Sequence, residues 1–111
     1  TQALGGNGFI TGDVRLETNA SLVVDVLEDG TPGCVEIDGS ADFSKGGNVA
    51  FTGNVESLKL GLNEIVKADT LTFGGEWTCN VPLKNRTASL YYSNNTLYLN
   101  VNRSATILIL R

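Results

Sequence analysis

Apolar side chains recur at every second position along almost the whole chain, and a period of two is the signature of a strand with one face turned inward. The runs are Ile10, Val14, Leu16; Leu22, Val24, Val26; Val35, Ile37, Ala41, Phe43; and Val49, Phe51, Val55. They resume with Leu71, Phe73, Trp77, Cys79, Val81, then Leu90, Tyr92, then Leu97, Leu99, Val101, and end at Ile107 and Ile109. Helical spacing is hardly represented. The stretch from Val55 to Ala68 has Gly61 at its centre and alternates through Leu58, Leu60 and Leu62, so it is predicted as a strand followed by a short turn. Gly5-Gly6-Asn7-Gly8, Asp29-Gly30, Asp38-Gly39, Gly46-Gly47-Asn48 and Gly74-Gly75 fall between the runs. Gly and Asn accept positive φ cheaply, so these clusters read as corners.

About a dozen strands of three to six residues result. The fold class is therefore all-β. So many short strands suit a solenoid with several strands per coil, with a β-sandwich as the alternative, and the 111 residues form one domain, 1–111. An internal echo links Gly12-Asp13-Val14-Arg15-Leu16 to Gly39-Ser40-Ala41-Asp42-Phe43, 27 residues on, a plausible coil length.

Charge and residue types set several chemistries aside. The net charge is −4 and the eight basic residues are scattered, whereas phosphate affinity needs clustered Lys and Arg, so no nucleic-acid partner is expected. The chain lacks His, the commonest acid–base group and metal ligand, and no nucleophile–base pair or metal cluster can be named. No enzyme activity, cofactor or metal site is expected. Gly5-Gly6-Asn7-Gly8-Phe9-Ile10 has the glycines of a calcium-binding nonapeptide but Ile10 where that motif needs an aspartate. No transmembrane segment is expected, because no apolar run approaches bilayer length. Asp25, Glu28 and Asp29 cluster near Gly30, and Glu36, Asp38 and Asp42 flank Gly39. Strand parity puts the latter three on the solvent face opposite Val35, Ile37, Ala41 and Phe43, which favours a solvated face over a glycosidase pair.

The stretch Leu4-Gly5-Gly6-Asn7-Gly8-Phe9-Ile10-Thr11-Gly12-Asp13-Val14-Arg15-Leu16, followed by Ala20-Ser21-Leu22-Val23-Val24-Asp25-Val26, resembles bacterial autotransporter-type passenger repeats. Val35 to Phe51 and Trp77 through Leu97-Tyr98-Leu99-Asn100-Val101 are similar to the last coils of such passengers. A long regular repeat array is missing, so the resemblance is to a terminal or isolated segment. It implies a right-handed parallel β-helix, extracellular or at the cell surface of a bacterium, acting as a stalk, cap or assembly unit.

Four features remain. Cys34 and Cys79 are the only cysteines; they either pair, as an exported chain favours, or stay as two buried thiols. Trp77 shares parity with Phe73, Cys79 and Val81 and is expected in the core, while of the adjacent Tyr91 and Tyr92 one must point outward or lie at an edge. Tyr91 is accordingly the candidate ligand contact of an alternative function, a carbohydrate-binding module. Sequons begin at Asn19, Asn85, Asn94 and Asn102, and in a bacterial protein they are chance products of an Asn- and Thr-rich surface. Ala105, Thr106, Ile107, Leu108, Ile109 and Leu110 form a run apolar at nearly every position. Such a strand is either central in its own domain or inserted into a neighbouring copy, which gives a second alternative, a fibre subunit assembling by C-terminal strand addition.

Overall fold

The inward residues of the alternating runs meet across two facing sheets. The computed structural model describes residues 3–5, 7–83 and 85–103. Among them are ten strands: β1 Ala3–Gly5, β2 Gly8–Thr11, β3 Val14–Arg15, β4 Ala20–Val26, β5 Val35–Phe43, β6 Gly47–Gly53, β7 Gly61–Phe73, β8 Trp77–Cys79, β9 Arg86–Ser93 and β10 Thr96–Arg103. The four-stranded sheet has the order β1-β4-β6-β8 and is parallel throughout. The six-stranded sheet has the order β2-β5-β7-β10-β9, with β3 also on β5. Its first members are parallel, and β10 and β9 join antiparallel. The chain is thus all-β with mixed parallel and antiparallel pairing.

Up to β8 the chain passes back and forth between the sheets, so each parallel strand lies on the one from the preceding circuit. Ile10 pairs with Ile37, Val14 with Ala41 and Leu22 with Val49. The echo between Gly12–Leu16 and Gly39–Phe43 is therefore the pairing register itself. Side chains repeat it: Ser21 Oγ bonds Asn48 Oδ1 at 3.0 Å, Thr52 Oγ1 donates to Asp25 Oδ1 at 3.0 Å, and the Ser40 amide donates to Asp13 Oδ1 at 2.9 Å, each across 27 residues. In β4 the inward residues Ala20, Leu22, Val24 and Val26 are no more than 1% exposed. Leu97, Leu99 and Val101 of β10 complete the same core.

Corners require glycine where successive circuits stack. Gly46 and Gly75 turn the chain from one sheet to the other with φ of 82° and 74°. A Cβ on Gly75 would stand 2.5 Å from the Gly46 nitrogen, so no side chain fits there.

Two expectations need correction. The strands run from two residues in β3 to thirteen in β7, not three to six. Long strands arise because β7 serves two partners, with β5 along Val66–Phe73 and β10 along 61–67. The order within Val55–Ala68 is also reversed: a 3₁₀ turn at Val55–Ser57 comes first, and β7 starts at Gly61. The Lys59 amide donates to Gly30 O at 3.0 Å and Leu58 is buried, which fixes the turn against the neighbouring corner. Leu60 and Leu62 are exposed, so the Leu58, Leu60, Leu62 alternation does not line one face.

The β9–β10 hairpin closes on Asn94 and Asn95, with φ of 50° and 58°, a two-residue turn of the type whose twist matches that of the flanking strands. Asn95 also locks the hairpin to β7. Its Oδ1 accepts the Leu71 amide at 2.9 Å and its carbonyl accepts the Ala68 amide at 3.1 Å. Asn95→Ala removes both the tolerance for positive φ and the side-chain acceptor, and is expected to cost roughly 1–3 kcal/mol in chemical denaturation. Asn95→Gly keeps the turn and loses only the acceptor, so its loss should be smaller.

Candidate functional site

Chemistry-bearing side chains gather on the outward face of the six-stranded sheet. At one end, Tyr98 of β10 stands directly across from Tyr91 of β9, with ring centroids 5.9 Å apart and planes tilted by 45°. Tyr91 is 51% exposed. Its neighbour Tyr92 turns the other way, stacks on Phe73 at 6.1 Å and donates its hydroxyl to Leu71 O at 2.9 Å. It is nonetheless 40% exposed, because β9 is an edge strand. Trp77 packs as expected: its ring stacks on Phe73 at 5.9 Å, and its Nε1 donates to Gly74 O at 2.8 Å.

Nearer the other end lies a shallow hollow of about 250 Å³ bounded by Phe9, Glu36, Asp38, Lys67 and Asp69, floored by Ile37 and Ala68. Phe9, Glu36 and Lys67 are successive members of one cross-strand row. The Asp38 and Asp69 carboxyls come close enough to share a proton, and that shared bond, then desolvation and their mutual repulsion, raises the Asp69 pKa. The parity argument holds for Glu36 and Asp38, which are exposed, with Val35, Ile37, Ala41 and Phe43 buried. Sequence reading missed Asp69, Lys67 and Phe9. Glu36-Ile37-Asp38 and Lys67-Ala68-Asp69 are the same polar–apolar–polar triplet, a signal that could have found them. The register shift between Ile37 and Ser40 hides their alignment from simple counting.

Two other aspartates hold corners. Asp29 Oδ1 accepts the Thr31 amide at 3.0 Å and hydroxyl at 2.6 Å, and Asp42 Oδ1 accepts those of Ser44 at 3.0 and 2.6 Å. Those bonds lower both aspartate pKa values. Lys45 Nζ lies 3.0 Å from Glu17 Oε2 and lowers the Glu17 pKa. Among the described residues no group of three or more His, Cys, Asp or Glu is placed to hold a metal ion, and no helix is long and apolar enough to cross a membrane. The sequon residues Asn19, Asn85, Asn94 and Asn102 are all exposed.

The expected bridge between Cys34 and Cys79 is not formed; both are free thiols. Cys34 sits just before β5 of the six-stranded sheet, and Cys79 ends β8 of the four-stranded one, where it faces Phe73, Trp77, Ala88 and Leu90. Burial pushes the Cys79 thiol up to about 11. For Cys34, burial and then the nearby Glu64 and Glu36 carboxylates raise it. The proposed assembly strand, Ala105 to Leu110, lies outside the described residues.

Compared with family models, curated proteins and solved structures, the chain matches none.

Two measurements follow from these environments. Thiol labelling near neutral pH should find two reactive cysteines per chain in denaturant and slow labelling of Cys79 in the folded protein, whereas a bridged pair would show none in either state. For Asp69, the raised pKa means the folded chain holds a proton that the unfolded chain has already released. That contribution is fully present below 3.8, the ordinary value, and is lost as pH rises through the raised one. Asp69→Asn is therefore expected to raise the melting temperature at neutral pH, with the gain vanishing in titrations taken below the ordinary value.

Proposed function

We propose that the chain is a non-catalytic structural module of a bacterial surface protein, a cap or assembly unit built as a short right-handed parallel β-helix segment. The observation that carries this reading is the set of side-chain bonds, each spanning 27 residues, that joins the first circuit to the second alongside their parallel strands. Such a set is what stacked coils produce when each circuit contributes one strand to each sheet. The likeness of the Leu4–Leu16 and Ala20–Val26 stretches to autotransporter-type passenger repeats supports the extracellular placement. The engagement of Asp13, Asp25, Asp29 and Asp42 in backbone and hydroxyl bonds supports a structural use of the acidic residues.

Coil duplication tests this reading. Inserting a second copy of residues 20–46, one full circuit, should give a folded protein lengthened by one strand spacing, about 4.8 Å, in small-angle scattering, with unchanged melting cooperativity. A duplicated circuit that hangs as an unfolded insertion would overturn it.

A second reading, carbohydrate binding, is favoured by the outward Tyr91–Tyr98 pair, since aromatic faces pack on the apolar faces of sugar rings. Specific binding on a glycan array that disappears in Tyr91→Ala would support it. An array with no signal would remove it.

A further inference from the structure

The two ends of the stacked core differ. At the far end the β9–β10 hairpin lies over β7. At the near end, among the described residues, β1 and the β2–β3 pair are edge strands. Their inward residues Leu4, Ile10 and Val14 are only partly buried, whereas the residues stacked on them, Leu22, Ile37 and Ala41, are 1%, 3% and 2% exposed. Phe9, on the outward side of the same edge, is 64% exposed. An edge of this kind, with its core side half covered, is a template for further pairing.

The backbone shows which groups are free. The amides of Gly8, Gly12 and Leu16 donate to Cys34 O, Asp38 O and Asp42 O of the β5 segment at 3.2, 2.9 and 3.0 Å. Amides alternate in direction along a strand, so those of Phe9 and Thr11 in β2 and Arg15 in β3 point away from β5 to the open edge, with Gly12 (φ 113°) and Asp13 joining the two strands. We propose that this edge is the interface of a two-fold homodimer, in which β2 of one copy pairs antiparallel with β3 of the other about an axis at Gly12.

The register is set by self-complementarity. An axis at Gly12 places Phe9 opposite Arg15 and Thr11 opposite Asp13 of the second copy. Phe9, Thr11 and Arg15 have edge-directed amides, as hydrogen-bonded antiparallel pairs require. Ile10 then meets Val14, both inward, so partly covered apolar residues cover one another. Outside, the Arg15 guanidinium, on a side chain 63% exposed, comes over the exposed Phe9 ring, an attractive cation–π arrangement. A two-fold contact of this kind closes on itself, so it gives dimers rather than fibres. The inference goes beyond the structural-module reading and does not depend on the bacterial setting.

Sedimentation velocity on the full chain should show a reversible monomer–dimer equilibrium at concentrations up to about 100 µM, an ordinary range for a modest interface. Thr11→Pro removes one edge-directed amide and no bond to β5, so the variant should be a folded monomer. Phe9→Ser, at a ring 64% exposed, removes the surface that Arg15 of the second copy covers and should weaken the dimer about tenfold or more while leaving the melting temperature of dilute protein unchanged. With Cys34 and Cys79 replaced by Ser, a mixture of Phe9→Cys and Arg15→Cys chains should give a disulfide-linked heterodimer, and neither chain alone should cross-link comparably. A full-length chain that stays monomeric throughout overturns the proposal. So does a dimer indifferent to both Thr11→Pro and Phe9→Ser, or one that cross-links only Phe9→Cys to itself. A monomer destabilised by Phe9→Ser also overturns it, because the edge is then covered within one chain. The coil-duplication experiment is independent: a chain that lengthens normally but never dimerises refutes this interface alone.

Discussion

Everything in this molecule hangs on the parallel backbone ladder that joins each circuit of the chain to the next. A parallel ladder forces like positions to stack on like positions, at an offset of 27 residues between the first two circuits and of 30 to 31 between the next. Apolar residues then accumulate in two inner faces, and small polar residues within β4 and β6 bond their counterparts one circuit on. Ser21 with Asn48 and Asp25 with Thr52 are consequences of the offset that the backbone sets. Each such bond contributes modestly, about 1 kcal/mol. Their effect is on register, because a slip by one residue would turn every inward side chain of β4 and β5 to solvent.

A stack of parallel strands has two ends, and the ends decide what kind of molecule it is. The far end is managed by reversing chain direction. β10 runs antiparallel to β7 and β9 antiparallel to β10, with Asn95 and Tyr92 tying the hairpin turn to Leu71. Four-stranded and six-stranded sheets are then unequal, and the apolar residues beside β8, among them Phe73, Trp77 and Leu90, stay partly exposed. Aromatic stacking of Tyr92 on Phe73 and Phe73 on Trp77 covers part of that surface. The near end has no comparable device among the described residues.

Much of this was legible in the sequence, for a definite reason. Period two is a direct image of a strand's two faces, so the all-β class, the inward sets of β4 and β5, and the outward Glu36 and Asp38 could be read from alternation alone. The 27-residue echo was legible as well, since stacked positions share a chemical requirement. Bulges and shared strands were not. Ile65 and Val66 are adjacent and both buried, because β7 shifts register against β10 between the partners of Leu97 and Tyr98. No counting rule sees that. The turn at Val55–Ser57 was misread because Leu58, Leu60 and Leu62 mimic a strand while only Leu58 has a core to enter. Asn94-Asn95 was read as part of a sequon, although an Asn pair between two alternating runs is equally a hairpin signal. The free thiols were beyond reach, because which sheet each cysteine joins depends on the number of strands between them.

The outward surface follows from the same constraint, and it limits what the site can do. On a stacked sheet, outward side chains stand in rows one strand spacing apart, about 4.8 Å, so any two like charges in a row are held close whatever their function. Asp38 and Asp69 are such a pair, and sharing a hydrogen bond is the cheapest way for them to coexist. Glu36 and Lys67, one row away, solve the same problem with opposite charges. Carboxyl proximity here is thus a product of the ladder, and it needs no substrate to explain it. The Tyr91–Tyr98 pair, like Phe9, is an outward feature that the ladder does not demand. Two aromatic rings opposite one another on an exposed face leave apolar surface in water that polar side chains at the same positions would not. That cost, which the still more exposed Phe9 shares at the near edge, makes the hairpin's outer face one of two places where selection for binding would show.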